Sequence, residues 1–210
     1  MKHIPKIKVC GMRDATNIQA IAELNPDYLG FIFYPKSPRY LDTDFAPEII
    51  HHLPQGIKRT GVFVNTTEQI IKDAVIKYGL HAVQLHGNES PEFCLKAKQM
   101  GVEVIKAFQI DEHFDFNTLS NYTKACDFYL FDTKTKAYGG SGQKFDWRIL
   151  EKYDKQKPIF LSGGITAEDV PVILNLPQLN IYAVDINSKF EIKPGLKDVD
   201  LVKGFIRRMR

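Results

Sequence analysis

Cysteine is scarce: Cys10, Cys94 and Cys126 are the only three in 210 residues. The number is odd and no Cys-x-x-Cys pair occurs, which argues against a disulfide framework and a structural zinc site. The six histidines show no His-Glu-x-x-His or comparable ligand spacing, so no metal is expected. No run approaches the ~20 apolar residues that span a bilayer. The opening Met1-Lys2-His3-Ile4-Pro5 lacks the apolar stretch and cleavage site of a signal peptide. The expected address is the cytoplasm, where free thiols stay reduced. A dominant charge sign is missing too: the formal net charge is +3, which demands neither a nucleic-acid nor a membrane partner. The one basic cluster, Arg207-Arg208-Met209-Arg210, suits a helix C-terminus, where cations complement the dipole.

What is present is a repeated alternation. Short apolar runs, rich in β-branched residues, give way to polar turns and then to amphipathic stretches. The runs are Ile7 to Cys10, Tyr28 to Phe33, Arg59 to Val64, Ala82 to Leu85, Val102 to Phe108, Phe128 to Asp132, Pro158 to Leu161 and Ile181 to Asp185. Near-continuous apolar character is what parallel strands covered on both faces require. Between them, apolar stripes at helical spacing run through Ile18, Ile21 and Ala22, through Ile70, Ile71, Ala74, Val75 and Tyr78, and through Leu201, Val202, Phe205, Ile206 and Met209. Thr66 with Gln69 forms a candidate capping box, Ser90-Pro91 a cap followed by proline, and Thr166 a third cap. Eight such units without a composition break predict an α/β fold, a compact single-domain (β/α)8 TIM barrel over residues 1–210. An open doubly wound sheet fits less well, because the first turn, Cys10-Gly11-Met12-Arg13-Asp14, lacks Gly-x-Gly-x-x-Gly.

Active sites of such barrels lie at the C-terminal strand ends, so the residues there are the candidates. Cys10 closes the first run and reads either as a small buried hydrophobe or as a functional thiol. Cys94, inside a helix, and Cys126, before a strand, read as buried hydrophobes. Asp132 closes the sixth run and precedes a Gly-rich segment, Gly139-Gly140-Ser141-Gly142, suited to a loop that folds over a ligand. Gly163-Gly164 ends the seventh run just before a helix start, a place where backbone N–H groups receive phosphate. Asp185 ends the eighth, and Asn187 and Ser188 offer donors beside it. Arg39 sits in the proline-stiffened Pro35-Lys36-Ser37-Pro38-Arg39-Tyr40, either solvated or gripping a carboxylate. His86 ends the fourth run and faces the pocket in the functional reading.

Taken in order, these pieces resemble the phosphoribosylanthranilate isomerases of tryptophan biosynthesis. The carrying segments are Lys8-Val9-Cys10-Gly11-Met12, Gly30-Phe31-Ile32-Phe33 with Ser37-Pro38-Arg39, Gly61-Val62-Phe63-Val64, and Val83-Gln84-Leu85-His86-Gly87. They continue with Phe131-Asp132, Gly139-Gly140-Ser141-Gly142 with Phe145-Asp146-Trp147, Leu161-Ser162-Gly163-Gly164-Ile165, Ala183-Val184-Asp185 and Pro194-Gly195. The resemblance implies a cofactor-free Amadori rearrangement of N-(5-phosphoribosyl)anthranilate, by a monomer or homodimer whose partner is a small phosphorylated molecule. It implies Asp132 as general acid, Cys10 as general base, Arg39 on the anthranilate carboxylate, and His86 and Asp185 on the substrate. Gly163, Gly164, Asn187 and Ser188 would hold the phosphate. One departure stands out. The family carries a Ser-Ser-Gly type of turn where this chain has Asn187-Ser188-Lys189, so lysine needs either a changed backbone angle or a left-handed one. Other phosphosugar barrels fit less well: a histidine-pathway isomerase has aspartate where Cys10 stands, and a pentose-phosphate epimerase needs His and Asp metal ligands. A non-catalytic phosphate-ligand barrel would be expected to lose the acid or the base.

Overall fold

The computed structural model describes residues 4–134, 144–176 and 179–210. Eight parallel strands close into a barrel in sequential order, β1 (Lys6–Cys10), β2 (Tyr28–Ile32), β3 (Lys58–Phe63), β4 (Ala82–Leu85), β5 (Glu103–Ile110), β6 (Phe128–Thr133), β7 (Ile159–Leu161) and β8 (Ile181–Ile186). The ring shuts where Lys8 of β1 stands opposite Asp185 of β8. All eight expected runs form strands, with ends displaced by a residue or two. Among the described residues no helix is long and apolar enough to cross a membrane.

The outer layer is α1 (Ala15–Ala22), α2 (Pro47–His51), α3 (Glu68–Tyr78), α4 (Pro91–Lys98), α5 (Val170–Leu174) and α6 (Val199–Met209). Ser90 Oγ accepts the Phe93 N–H at the start of α4, as its sequence anticipates. The expected box at Thr66 is corrected. Thr67 caps α3, its Oγ1 accepting from the Ile70 N–H, because Thr67 holds the extended backbone that an N-cap needs. Gln69 turns outward to Asp73 instead. Ile70 and Leu201, placed on buried stripes by periodicity, are about half exposed, at the edges of their helices' apolar arcs. Among the described residues, β5 and β6 are followed by 3-10 turns, Phe116–Tyr122 and Trp147–Lys152. In the first, Thr118 and Ser120 hydroxyls bond back to the carbonyls of Asp115 and Asn117, a local alternative that weakens a regular helix. Arg207 and Arg208 do lie in the last turn of α6.

Two apolar volumes result. The larger lies between strands and helices and includes Ile7, Val9, Leu29, Phe31 and Phe63. The smaller fills the barrel itself: Tyr28, Ala82, Ile105, Ala107, Leu130, Phe160 and Ala183. Side chains two apart along a strand share a face. Following the second set by two residues therefore leads to Gly30, Gln84, Asp132 and Asp185, and on β1 to Lys8 and Cys10. The lumen is greasy at one end and polar where the strands finish, which is the catalytic end of this architecture.

Candidate active site

Cys10 is buried at the end of β1, and Gly30 of β2 makes room for it: a Cβ on Gly30 would come within 2.8 Å of Cys10 Sγ. Gly11 turns the chain away with φ +79°, while its N–H and that of Met12 both donate to the Gly30 carbonyl at 2.9 Å. Burial pushes the Cys10 thiol up, and the Lys8 and Lys197 ammonium groups pull it back. Cys94 and Cys126 are pushed up to about 12 by burial, which fits the reading of both as inert.

Asp132 is buried at the end of β6, three strands from Cys10 around the ring. Its Oδ1 accepts from the Thr133 N–H at 2.9 Å, and its Oδ2 lies 3.4 Å from His86 Nε2. His86 is held from behind. Its Nδ1 is 2.7 Å from Gln84 Nε2. The turn carrying it is pinned by Lys106, which donates to the carbonyls of Leu85 and Gly87 and to Glu89. Glu89 in turn accepts from the N–H groups of Gly87 and Asn65. A buried ion pair with its remaining valences filled in this way fixes geometry more than it adds stability.

Asp185 is not free at its strand end. Its Oδ2 pairs with Lys8 Nζ at 2.8 Å, and Lys8 also donates to Gln84 Oε1 at 2.8 Å. Burial alone would pull the Lys8 ammonium down, but Asp185 and the Cys10 sulfur outweigh it and hold Lys8 above its usual range. His86 Nε2 and Asp185 Oδ1 are buried atoms without a hydrogen-bond partner among the described residues. An unpartnered buried polar atom costs ~1–3 kcal/mol, and at a functional rim it marks where a ligand completes the network.

Arg39 faces the same rim but is already engaged. Its Nε and Nη2 grip the Glu191 carboxylate at 2.7–3.0 Å, leaving Nη1 without a protein partner among the described residues. Glu191 opens β9 (Glu191–Lys193), which pairs with β10 (Leu196–Lys197). It also accepts from Lys197 Nζ at 2.7 Å and from the Gly195 N–H at 3.1 Å. Burial would raise the Glu191 carboxyl, yet Arg39 and Lys197 hold it below the usual carboxylate range. Lys197 donates again to Asn187 Oδ1 at 2.7 Å, so the side-chain oxygen of Asn187 is spoken for. The anticipated cost at Lys189 does not arise: it lies exposed in a short 3-10 turn, Ser188–Phe190, and is not among the positive-φ residues.

Gly163 and Gly164 both have positive φ, +94° and +64°. A Cβ on Gly163 would strike Thr133 Oγ1 at 2.4 Å and approach Asp132 Oδ1 to 3.2 Å, so this turn sits against the Asp132 strand end. The following Thr166 is a cap of mixed kind, its N–H and hydroxyl both donating to Asp169 Oδ2. The Gly139-Gly140-Ser141-Gly142 segment lies outside the described residues.

The structure thus gathers Cys10, Arg39, His86, Asp132, Gly163, Asn187 and Asp185 at one end of the barrel. Sequence reasoning missed Lys8, Gln84, Glu191 and Lys197. Lys8 and Gln84 carried a signal, since polar residues interrupt otherwise apolar strands; Glu191 and Lys197 carried none that spacing could expose.

The family model for N-(5'-phosphoribosyl)anthranilate isomerase matches residues 7–208. The N-(5'-phosphoribosyl)anthranilate isomerase of Phocaeicola vulgatus is 42% identical over 97% of each chain. The crystal structure of phosphoribosyl anthranilate isomerase from Thermotoga maritima superposes with a TM-score of 0.88 at 37% identity over 98% of each chain. A further structure of this isomerase, in complex with reduced 1-(o-carboxyphenylamino)-1-deoxyribulose 5-phosphate, superposes with a TM-score of 0.85 at 34% identity over 98% of each. The chain belongs to the N-(5'-phosphoribosyl)anthranilate isomerase family and is an isomerase of tryptophan biosynthesis.

Proposed function

We propose that Asp132 and Cys10 are the acid and the base of the Amadori rearrangement of N-(5-phosphoribosyl)anthranilate to 1-(2-carboxyphenylamino)-1-deoxyribulose 5-phosphate. The supporting observation is the presence of a buried thiol at the end of β1 and a buried carboxylate at the end of β6, in a rim where His86 Nε2 and Asp185 Oδ1 have no hydrogen-bond partner among the described residues. Asp132 gives a proton to the ribose ring oxygen, the C1–O bond breaks, and the nitrogen lone pair forms a Schiff base at C1. Cys10 Sγ takes the proton from C2, the electron pair moves into the C1–C2 bond, and the resulting enolamine tautomerises to the ketone. The reaction redistributes protons within one molecule, and acid–base catalysis by positioned side chains suffices for it.

Arg39 Nη1 meets the anthranilate carboxylate, with Glu191 holding the guanidinium plane. His86 Nε2 and Asp185 Oδ1 take the ribose hydroxyls. The Gly163 and Gly164 backbone, with Asn187 and Ser188 across the rim, receives the phosphate. Asn187 contributes through its backbone or its amide nitrogen, since its side-chain oxygen binds Lys197.

The test is turnover of phosphoribosylanthranilate, formed in place from anthranilate and phosphoribosyl pyrophosphate. Wild type, Cys10→Ser and Asp132→Asn are compared with and without a chelator. Chelator-independent turnover by wild type, with each variant folded and slower by about 100-fold or more, is the expected result. A fully active serine variant overturns the base assignment.

A further inference from the structure

Lys8 is a buried cation to which the proposed proton transfers assign no part. Lys8 is completely buried and sits inside the barrel, not along its wall. It is two residues before Cys10 on the same face of β1. Its Nζ donates to Asp185 Oδ2 and to Gln84 Oε1, both at 2.8 Å. Gln84 continues to His86 at 2.7 Å, and His86 reaches toward Asp132 at 3.4 Å. A row of polar contacts therefore runs beneath the site from the β1 end to the β6 end, hydrogen-bonded as far as His86 and ending in its 3.4 Å approach to Asp132.

From this geometry we infer that Lys8 is a positioning residue for the isomerisation: its fixed ammonium makes the Cys10 thiolate attainable inside the barrel and ties it, through Gln84 and His86, to Asp132. The inference rests on the assignment of Cys10 as base. A thiolate formed in a desolvated pocket is costly without a counter-charge, and burial does push Cys10 upward. The charged groups that bear on Cys10 are Lys8 on its own strand, Asp185 on β8 and Lys197 on β10; Arg39 and Glu191 pair beyond Lys197. Lys8 and Lys197 favour the thiolate, and Asp185 opposes it. Lys197 is shared among Glu191 and Asn187. Lys8 is the stronger of the two cations at the sulfur and is held protonated by Asp185. Burial pushes the Asp185 carboxyl up and Lys8 pulls it back; the 2.8 Å contact holds the two together below Cys10, so Lys8 serves as a fixed cation instead of as an acid or a base.

The experiment measures the rate at which chloroacetamide alkylates Cys10, located by mass spectrometry, in the folded full-length protein as a function of pH. The rate reports the thiolate population without requiring turnover. Lys8→Met is expected to slow it by about tenfold or more at each pH below the plateau, and to move the kcat/KM profile to higher pH with KM little changed. Lys8→Gln, which keeps a donor toward Asp185 without the charge, is expected to do the same and serves where the methionine variant does not fold. Simple loosening of the pocket would speed alkylation in every variant. Wild-type or faster alkylation in a folded Lys8 variant overturns the inference. Slower alkylation together with a fully active Cys10→Ser enzyme would leave the electrostatic role standing and remove the base assignment beneath it.

Discussion

Arg39 and Glu191, 152 residues apart in sequence, meet in a buried two-point clamp at 2.7–3.0 Å. The clamp holds the proline-stiffened loop after β2 against the segment that follows β8, so the guanidinium reaches the rim with one end anchored and one end open. A planar five-donor group suits this double duty in a way that lysine does not.

Glu191→Gln keeps the shape and removes the charge. Breaking one side of a buried, hydrogen-bonded pair costs ~3 kcal/mol, which urea unfolding at neutral pH should register. With Arg39 less firmly held, KM for phosphoribosylanthranilate should rise by more than kcat falls. Unchanged stability together with an unchanged KM would show that the clamp does not position Arg39.

The same carboxylate predicts a pH dependence. Arg39 and Lys197 hold Glu191 below its usual range despite burial. A depressed carboxylate contributes stability that is complete above the unfolded-state value, about 4.3, and is lost as pH falls through the folded-state value. Urea midpoints measured from pH 6 downward should therefore decline below the ordinary glutamate range, and Glu191→Gln should decline less steeply there.

Gly30→Ala tests the packing around Cys10. The added Cβ would lie 2.8 Å from the sulfur and 3.1 Å from the Cys10 Cα, and the second contact is backbone that moves little. Overpacking of this kind costs ~1–3 kcal/mol, and displacement of Cys10 from the position proposed for the base should lower kcat more than it raises KM. A variant with wild-type kcat would place Cys10 outside the reacting geometry.

Gly163→Ala addresses the other side. Its φ of +94° disfavours any Cβ, and the new atom would strike Thr133; strain of ~1–3 kcal/mol follows. Competition by inorganic phosphate should weaken in this variant if the turn receives the substrate phosphate. Phosphate inhibition equal to that of the wild type would move the phosphate site elsewhere.

Much of this was legible from the residues in order. The eight strands announced themselves as apolar runs, because parallel strands covered on both faces need nothing else. Cys10, Asp132, Gly163 and Asp185 were legible because they stand where those runs stop. Helix boundaries were less so: Thr66 and Thr67 are chemically alike, and only the backbone conformation at Thr67 decides which of them caps α3. The helix stripes overreached at Ile70 and Leu201, since periodicity names a face but not how wide the covering surface is.

The sequence by itself determined the barrel, the family and which residues stand at the strand ends, since apolar runs, turn chemistry and ordered local motifs are each written within a few residues. The tertiary structure alone decided the partners of those groups. That Asp185 is paired to Lys8, that Arg39 is half occupied by Glu191, and that Asn187 is bound to Lys197 depends on which strands adjoin when the ring closes. A charge's behaviour in a buried site is set by the groups within a few ångströms of it, and folding brings those from positions as far as 177 residues away.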